Sequence, residues 1–342
     1  MTVPDVPPAR TLRRRVIAVA LGALSSLAVA ECVLRATNAG VYRSRSESYH
    51  FIERPGRGYW TFDRDHPPIH AWDGDPYGRL PPGARMTYEI GDGGLRGDPP
   101  PPGRRTVLVL GDSFTFGEGV RIQDTFTSRL ERSMAAEAAG PAFVNAGVPG
   151  YGTEQEAARL PALIDRYDPA AVLLVAVPND AIPQIDQAGA ADLVNGRIAT
   201  ASPIRLFGLV RSVFGRAASD RAVEDWYLSY YVGARSECWA EARARLLSMA
   251  ALCRTRGARF GVAMFPLLYR LDDSPLAPIH HAFETACASD DVPFLDLTPA
   301  LALENDRALW VHPTDHHPDA RAHELAARAL LPFVEALVRR RD

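Results

Sequence analysis

Apolar and polar positions along the chain fall into three regimes. From Val16 to Ala30 an uncharged, largely apolar run follows Arg10, Arg13, Arg14 and Arg15, and it extends to Leu34 if Glu31 is tolerated. Residues 36 to 105 are rich in Pro, Gly, Arg and aromatics and show little periodicity. From Thr106 onward the pattern becomes regular. Apolar runs at 106–110, 142–145, 171–177, 260–265 and 293–297 read as strands. Between them lie amphipathic segments, at roughly 122–138, 154–166, 237–256, 276–289 and 318–339, that read as helices. Strands apolar throughout, alternating with helices, predict a parallel sheet covered on both faces, a three-layer α/β/α domain. Residues 183 to 236 interrupt the alternation as a mixed helical insertion.

The first regime is an address. Nineteen residues, 16–34, are long enough to cross a bilayer as a helix. Fifteen residues ending in Ala28-Val29-Ala30 also suit a signal peptide with a small-x-small cleavage site. Either reading keeps the arginines inside and places about 300 residues outside the cytoplasm, periplasmic or extracellular. A buried helix of a cytosolic domain leaves the arginine cluster unexplained. The expected organisation is a basic N-terminus (1–15), an anchor or signal helix (16–34), an irregular arm (35–105) and a catalytic domain (106–342). In the arm, Tyr59, Trp60, Trp72 and Tyr77 are candidates to line a substrate surface or simply to anchor loops.

Composition removes several chemistries. The 342 residues carry a net charge of −3, so no basic field invites nucleic acid. No lysine occurs, which excludes a Walker phosphate loop and Schiff-base catalysis. The cysteines, Cys32, Cys238, Cys253 and Cys287, form no C-x-x-C pair. A Cys253–Cys287 bridge is an option in an oxidising compartment. No cofactor is implied. A metal site from His312, Asp315, His316 and His317 is the bland alternative for the histidine cluster, which shows no ligand spacing.

In an open parallel sheet, function gathers at the carboxyl ends of the strands. There stand Gly111-Asp112-Ser113, then "NAGVPGYGT" (145–153), "PND" (178–180) and "HPTDHHPDARAH" (312–323). Alone, each is a turn, a cap or a solvated loop. Together they supply the parts of an acyl-transfer site. Ser113 needs a base to act as nucleophile, and His317 is the natural one, with an ordinary pKa near ~6.5. Asp315, two residues earlier, is close enough for one turn to present both side chains, and it would hold the imidazole in one tautomer. The Ser113 and Gly150 amides and the Asn179 side chain are candidate oxyanion donors. His316 is the second-choice base, since His317 immediately precedes Pro318 at the expected helix start.

These four segments resemble the four blocks of the SGNH (GDSL-type) hydrolase family, membrane-anchored bacterial type. "GDSFTFGEGV" resembles the first, with Ser113; "NAGVPGYG" the second, with Gly150; "PND" the third, with Asn179; "DHHP" the last, with Asp315 and His317. "GLRGD" just upstream is also familiar from anchored members. The resemblance implies a flavodoxin-like sheet and a serine esterase acting on O-acyl esters, such as O-acetyl groups of a cell-surface glycan. Val177 stands where the family often has Gly. Asp315-His316-His317 is Asp-x-His where Asp-x-x-His is common, a form that also resembles members linked to polysaccharide acetylation. An O-acetyltransferase with the same triad, or an inactive surface-binding module, are the alternatives.

Overall fold

The computed structural model describes residues 9–36, 43–47, 49–73, 85–101, 103–135, 140–187, 206, 216–312 and 315–339. Tyr77 and half of the insertion, residues 188–205 and 207–215, lie outside these.

The apolar run near the N-terminus forms one helix, α1 (Ala9–Ala36). Within Arg13–Ala36 its most apolar 18-residue window has a mean hydropathy of 2.2 and no part of that window is buried among the described residues, which makes the helix long and apolar enough to cross a membrane or to serve as a signal sequence.

The segment read as irregular is in fact a set of short strands: β1 (Arg43–Glu47), β2 (Phe51–Arg54), β3 (Tyr59–Phe62), β4 (Ile69–Asp73), β5 (Arg85–Thr87), β6 (Ile90–Gly91) and β7 (Leu95–Arg96). They pair antiparallel as β1-β4-β5, β2-β3 and β6-β7. Strands of two to five residues are too short to show a period of two in sequence, which is why the pattern hides them.

The remainder is the expected alternation. It runs β8 (Thr106–Gly111), α2 (Ser113–Phe116), α3 (Phe126–Met134), β9 (Ala142–Asn145), α4 (Thr153–Tyr167), β10 (Ala171–Ala176) and α5 (Arg216–Ser229). Then come α6 (Ser236–Thr255), β11 (Arg259–Met264), α7 (Ala277–Ala288), β12 (Phe294–Asp296) and α8 (Thr298–Leu301). The hairpin β13 (Trp310–His312) and β14 (Asp315–Pro318) precedes the last helix, α9 (Ala320–Val338). Five strands form one parallel sheet in the order β12-β11-β10-β8-β9. Successive residues of its central strands serve opposite faces. Leu108, Leu110, Val172, Leu174 and Val262 pack with α4, α6 and α7 through Leu160, Leu246, Met249 and Phe283. Val107, Val109, Leu173, Val175 and Ala263 pack with α3 and α9 through Phe126, Leu130, Leu330 and Val334. Both faces are dry, so the strands read as continuous apolar runs.

Two expected helices begin later than their patterns suggest. The first starts at Phe126, because Thr125 turns extended and accepts the Ser128 amide, leaving Ile122–Asp124 as a separate 3-10 turn. The last starts at Ala320, with Asp319 accepting the amides of Arg321 and Ala322. His317 and Pro318 therefore sit in a strand, not at a helix start. Cys253 and Cys287 are separate thiols in the same apolar core, and burial pushes each up to about 12.

A third cluster joins arm to core. Phe62, Tyr88 and Ile90 pack on Phe116, Val148 and Tyr151. Arg96, 5% exposed, lies over the rings of Tyr88 and Phe116 and donates to the carbonyls of Glu89 and Val120. The arm is thereby docked onto the loop that follows α2.

Candidate active site

Ser113 is placed by the sharp exit from β8. Gly111 has φ +153°, and a Cβ there would meet Thr115 Oγ1 at 2.2 Å and the Val175 carbonyl at 2.9 Å, so only glycine fits. The buried Asp112 carboxylate accepts the Phe114 amide at 2.8 Å and caps α2. Ser113 then opens the helix, 8% exposed.

The β13–β14 hairpin supplies the imidazole and its carboxylate. In a strand, residues two apart share a face and the one between points away. Asp315 and His317 accordingly face the serine. His316 goes to the other side and stacks on Trp310, ring centroids 3.8 Å apart. His317 Nε2 is 2.9 Å from Ser113 Oγ, and His317 Nδ1 is 2.5 Å from Asp315 Oδ1. With the proton on Nδ1, His317 donates to Asp315 and accepts from the serine hydroxyl.

Asn179 comes from the turn after β10. Asp180 closes that turn by accepting the Val177 amide at 3.2 Å, and Val177 fills the core below. The Asn179 side-chain amide donates to Asp112 Oδ2 at 3.2 Å, on the carboxylate beside which Ser113 stands. Gly150 lies in the turn between β9 and α4 with φ +80°, a conformation that favours glycine, and its Cα side faces Gln184, Gln187 and Trp60. Asn145 ties this loop to the first one, donating to the Thr115 carbonyl and accepting the Gly147 amide.

Three residues that the motif reading passed over stand among these. Glu118 Oε2 is 3.7 Å from His317 Nε2, and Glu118 is 6% exposed. His70, from β4 of the arm, places Nε2 3.1 Å from Asp315 Oδ2 and Nδ1 3.4 Å from Glu118 Oε1. Tyr49, also from the arm, donates its hydroxyl to Glu118 at 3.1 Å. Glu118 lay in plain sight, five residues after the serine in "GDSFTFGEGV". Nothing local in "PPIHAWD" marks His70. Trp72, a candidate for a substrate surface, is instead buried and packs against the His70 ring.

Burial of so many ionisable groups sets their charges against one another. Burial disfavours charge on His317, but the carboxylates of Asp315 and Glu118 outweigh it and push His317 up to about 10. His70 is likewise opposed by burial and raised by Asp315 and Glu118 to about 9. Asp315 is held well below the usual carboxylate range, because His317 and His70 overcome its own desolvation. Asp112 moves the other way, raised by burial. Below it, Glu156 and Asp180 are raised well above normal, by burial and by the neighbouring carboxyls.

A model of the GDSL-like lipase/acylhydrolase family matches residues 109–325. The chain belongs to this family. It is accordingly an ester-bond hydrolase, and the match takes in all four strand-end segments and the parallel sheet except for the first three residues of β8. Among curated proteins no relative matches. The chain is also similar to solved structures. TesA is 18% identical, with 68% of this chain and 99% of that one covered and a TM-score of 0.45. The psychrotrophic esterase EstA from Pseudoalteromonas sp., in a structure inhibited by monoethylphosphonate, is 14% identical, with 68% and 97% covered and a TM-score of 0.43. The lipase/acylhydrolase from Enterococcus faecalis is 17% identical, with 68% and 96% covered and a TM-score of 0.41. His70 and Tyr49 fall outside the residues that the family model matches.

Proposed function

We propose that this GDSL-like hydrolase is a serine esterase that removes O-acyl groups, O-acetyl first among them, from a cell-surface glycan or a similar ester, with Ser113 as nucleophile, His317 as base and Asp315 as its orienting carboxylate. The observation that carries the reading is the unbroken sequence from Ser113 Oγ to His317 Nε2 and from Nδ1 to Asp315, at 2.9 and 2.5 Å. Ser113 Oγ attacks the ester carbonyl carbon and passes its proton to His317 Nε2. The tetrahedral oxyanion is met by the amides of Ser113 and Gly150 and by the Asn179 side chain. Collapse breaks the bond to the alcohol, which leaves with the proton from Nε2. Water then repeats the sequence on the acyl-serine, and the carboxylic acid departs. Residues 16–34 are the membrane anchor in this reading, with the enzyme held outside the cytoplasm.

The test is hydrolysis of p-nitrophenyl acetate together with labelling by a fluorophosphonate probe. Ser113→Ala is expected to lose both, with activity down at least about 10³-fold and an unchanged melting temperature. Retention of hydrolysis in that variant overturns the assignment. Only neutral His317 accepts the serine proton, and its two carboxylate neighbours favour the charged form. Activity is therefore expected to climb with pH to a midpoint above the ordinary histidine value of about 6.5.

A further inference from the structure

The arm is more than a covering for the core. Its strand β4 carries His70, 2% exposed, into a position between two carboxylates that belong to the family domain. On one side its Nε2 is 3.1 Å from Asp315 Oδ2, the oxygen that His317 does not use. On the other its Nδ1 is 3.4 Å from Glu118 Oε1, while the second Glu118 oxygen is 3.7 Å from His317 Nε2. The ring itself is held by Trp72, at 4.5 Å between centroids, and by the edge of Tyr88. We propose that His70 is a positioning residue: by bridging Asp315 and Glu118 it fixes both carboxylates about the His317 imidazole, so that the upstream arm completes the site. This rests on the reading of Ser113 and His317 given above.

Two physical consequences follow. A carboxylate with one free oxygen rotates about χ2, and a donor on Oδ2 removes that freedom and keeps Oδ1 on Nδ1. A protonated His70, which its two acid neighbours favour, also shares their negative charge with His317. The groups that face this pair are Asp315 from β14, Glu118 from the loop after α2, Asp112 and Ser113 at the start of α2, and Tyr49 and Tyr88 from the arm. Removing the His70 charge leaves Asp315 and Glu118 acting on His317 alone. The imidazolium is then held more tightly, and the acid limb of the pH profile moves to higher pH.

The experiment uses the full chain in detergent, with kcat, KM and melting temperature for p-nitrophenyl acetate hydrolysis across pH. His70→Ala is expected to lower kcat about 10- to 100-fold, with KM little changed and the acid limb shifted to higher pH. His70→Gln restores an N–H where Nε2 stands and is expected to recover part of kcat while the limb stays shifted. Glu118→Gln removes a carboxylate and moves the limb to lower pH. His66→Ala, at an exposed histidine of the same arm, keeps the native profile. Native kcat and limb in His70→Ala overturn the proposal. Equal impairment of His70→Ala and His70→Gln with the limb at its native pH also overturns it, since that pattern belongs to packing alone. If His70→Ala fails to fold, the position of the limb in His70→Gln decides. The Ser113→Ala control is independent: hydrolysis surviving there sinks the esterase assignment, whatever His70 does.

Discussion

The α/β core and the upstream arm meet at one cluster of ionisable groups, but they rest on different physical grounds. The core positions Ser113 and Asn179 at the exits of two strands of a sheet buried on both faces, and Asp315 and His317 on the short hairpin before its last helix. The arm has short strands in one three-stranded antiparallel sheet and two strand pairs, and it packs on the core through an aromatic layer around Phe116 and through Leu95, with Arg159 donating to its Gly93 carbonyl. A sheet of this kind tolerates the loss of one side chain at its edge. A set of strands of two to five residues depends more on its docking, because short strand pairs are marginal without a partner surface. The same cluster therefore has a rigid half and a half whose geometry depends on docking.

That contrast is open to direct attack. The largest effect is expected in the rigid half. Asp315→Asn keeps the shape but presents the wrong hydrogen-bond sense to Nδ1, and it should cut kcat by about 10³- to 10⁴-fold with a native circular dichroism spectrum. A fall in melting temperature of similar weight would show that Asp315 serves the fold first. The docked half is expected to fail differently. Arg96→Ala strips the cation from Tyr88 and Phe116 and leaves the buried Val120 carbonyl without this donor, at a cost of about 2 kcal/mol. Activity should drop together with protection of the arm from proteolysis, while hydrogen exchange in the central strands β8 and β10 stays slow. Equal loosening of both regions would erase the distinction.

The smallest effect concerns the acids beneath the site. Glu156 is fully buried, and among the described residues neither carboxylate oxygen has a hydrogen-bond partner. Its pKa in the fold is raised, chiefly by burial and then by Asp112. A raised carboxyl binds its proton more tightly folded than unfolded. Its contribution is thus fully present below the unfolded value near 4.5 and is lost as pH rises towards the folded one. Glu156→Gln removes that loss. It is expected to raise stability at pH 8 by about 1–2 kcal/mol and to change little at pH 4, measured by thermal denaturation. A variant that is less stable at pH 8 would mean that the carboxylate has an ionic role there.

Much of the core was legible because its signals are local. Five apolar runs with helices between them read as a parallel sheet, and each end of the observed strands falls within one residue of its run. The chemical residues sat at the strand ends for the same reason, since Gly111, Asp112 and Ser113 are turn formers behind an apolar run. The geometry of Asp315 and His317 was legible only in outcome. A single turn was expected to bring them together, whereas a strand does so, and its alternation sends His316 to Trp310. Sequence spacing of two is compatible with either, and only the pairing with β13 chooses.

What the chain determined by itself, then, is the α/β core, the apolar N-terminal helix and the four strand-end segments proposed to carry the chemistry, because periodicity and turn preference act over a few residues. What only the tertiary structure decided is the company those residues keep. His70 and Asp315 are 245 positions apart, and no local pattern couples them. They meet because Phe62, Tyr88 and Ile90 bury their rings and methyls on Phe116 and Val148, and that burial carries an arm histidine into the gap between Asp315 and Glu118.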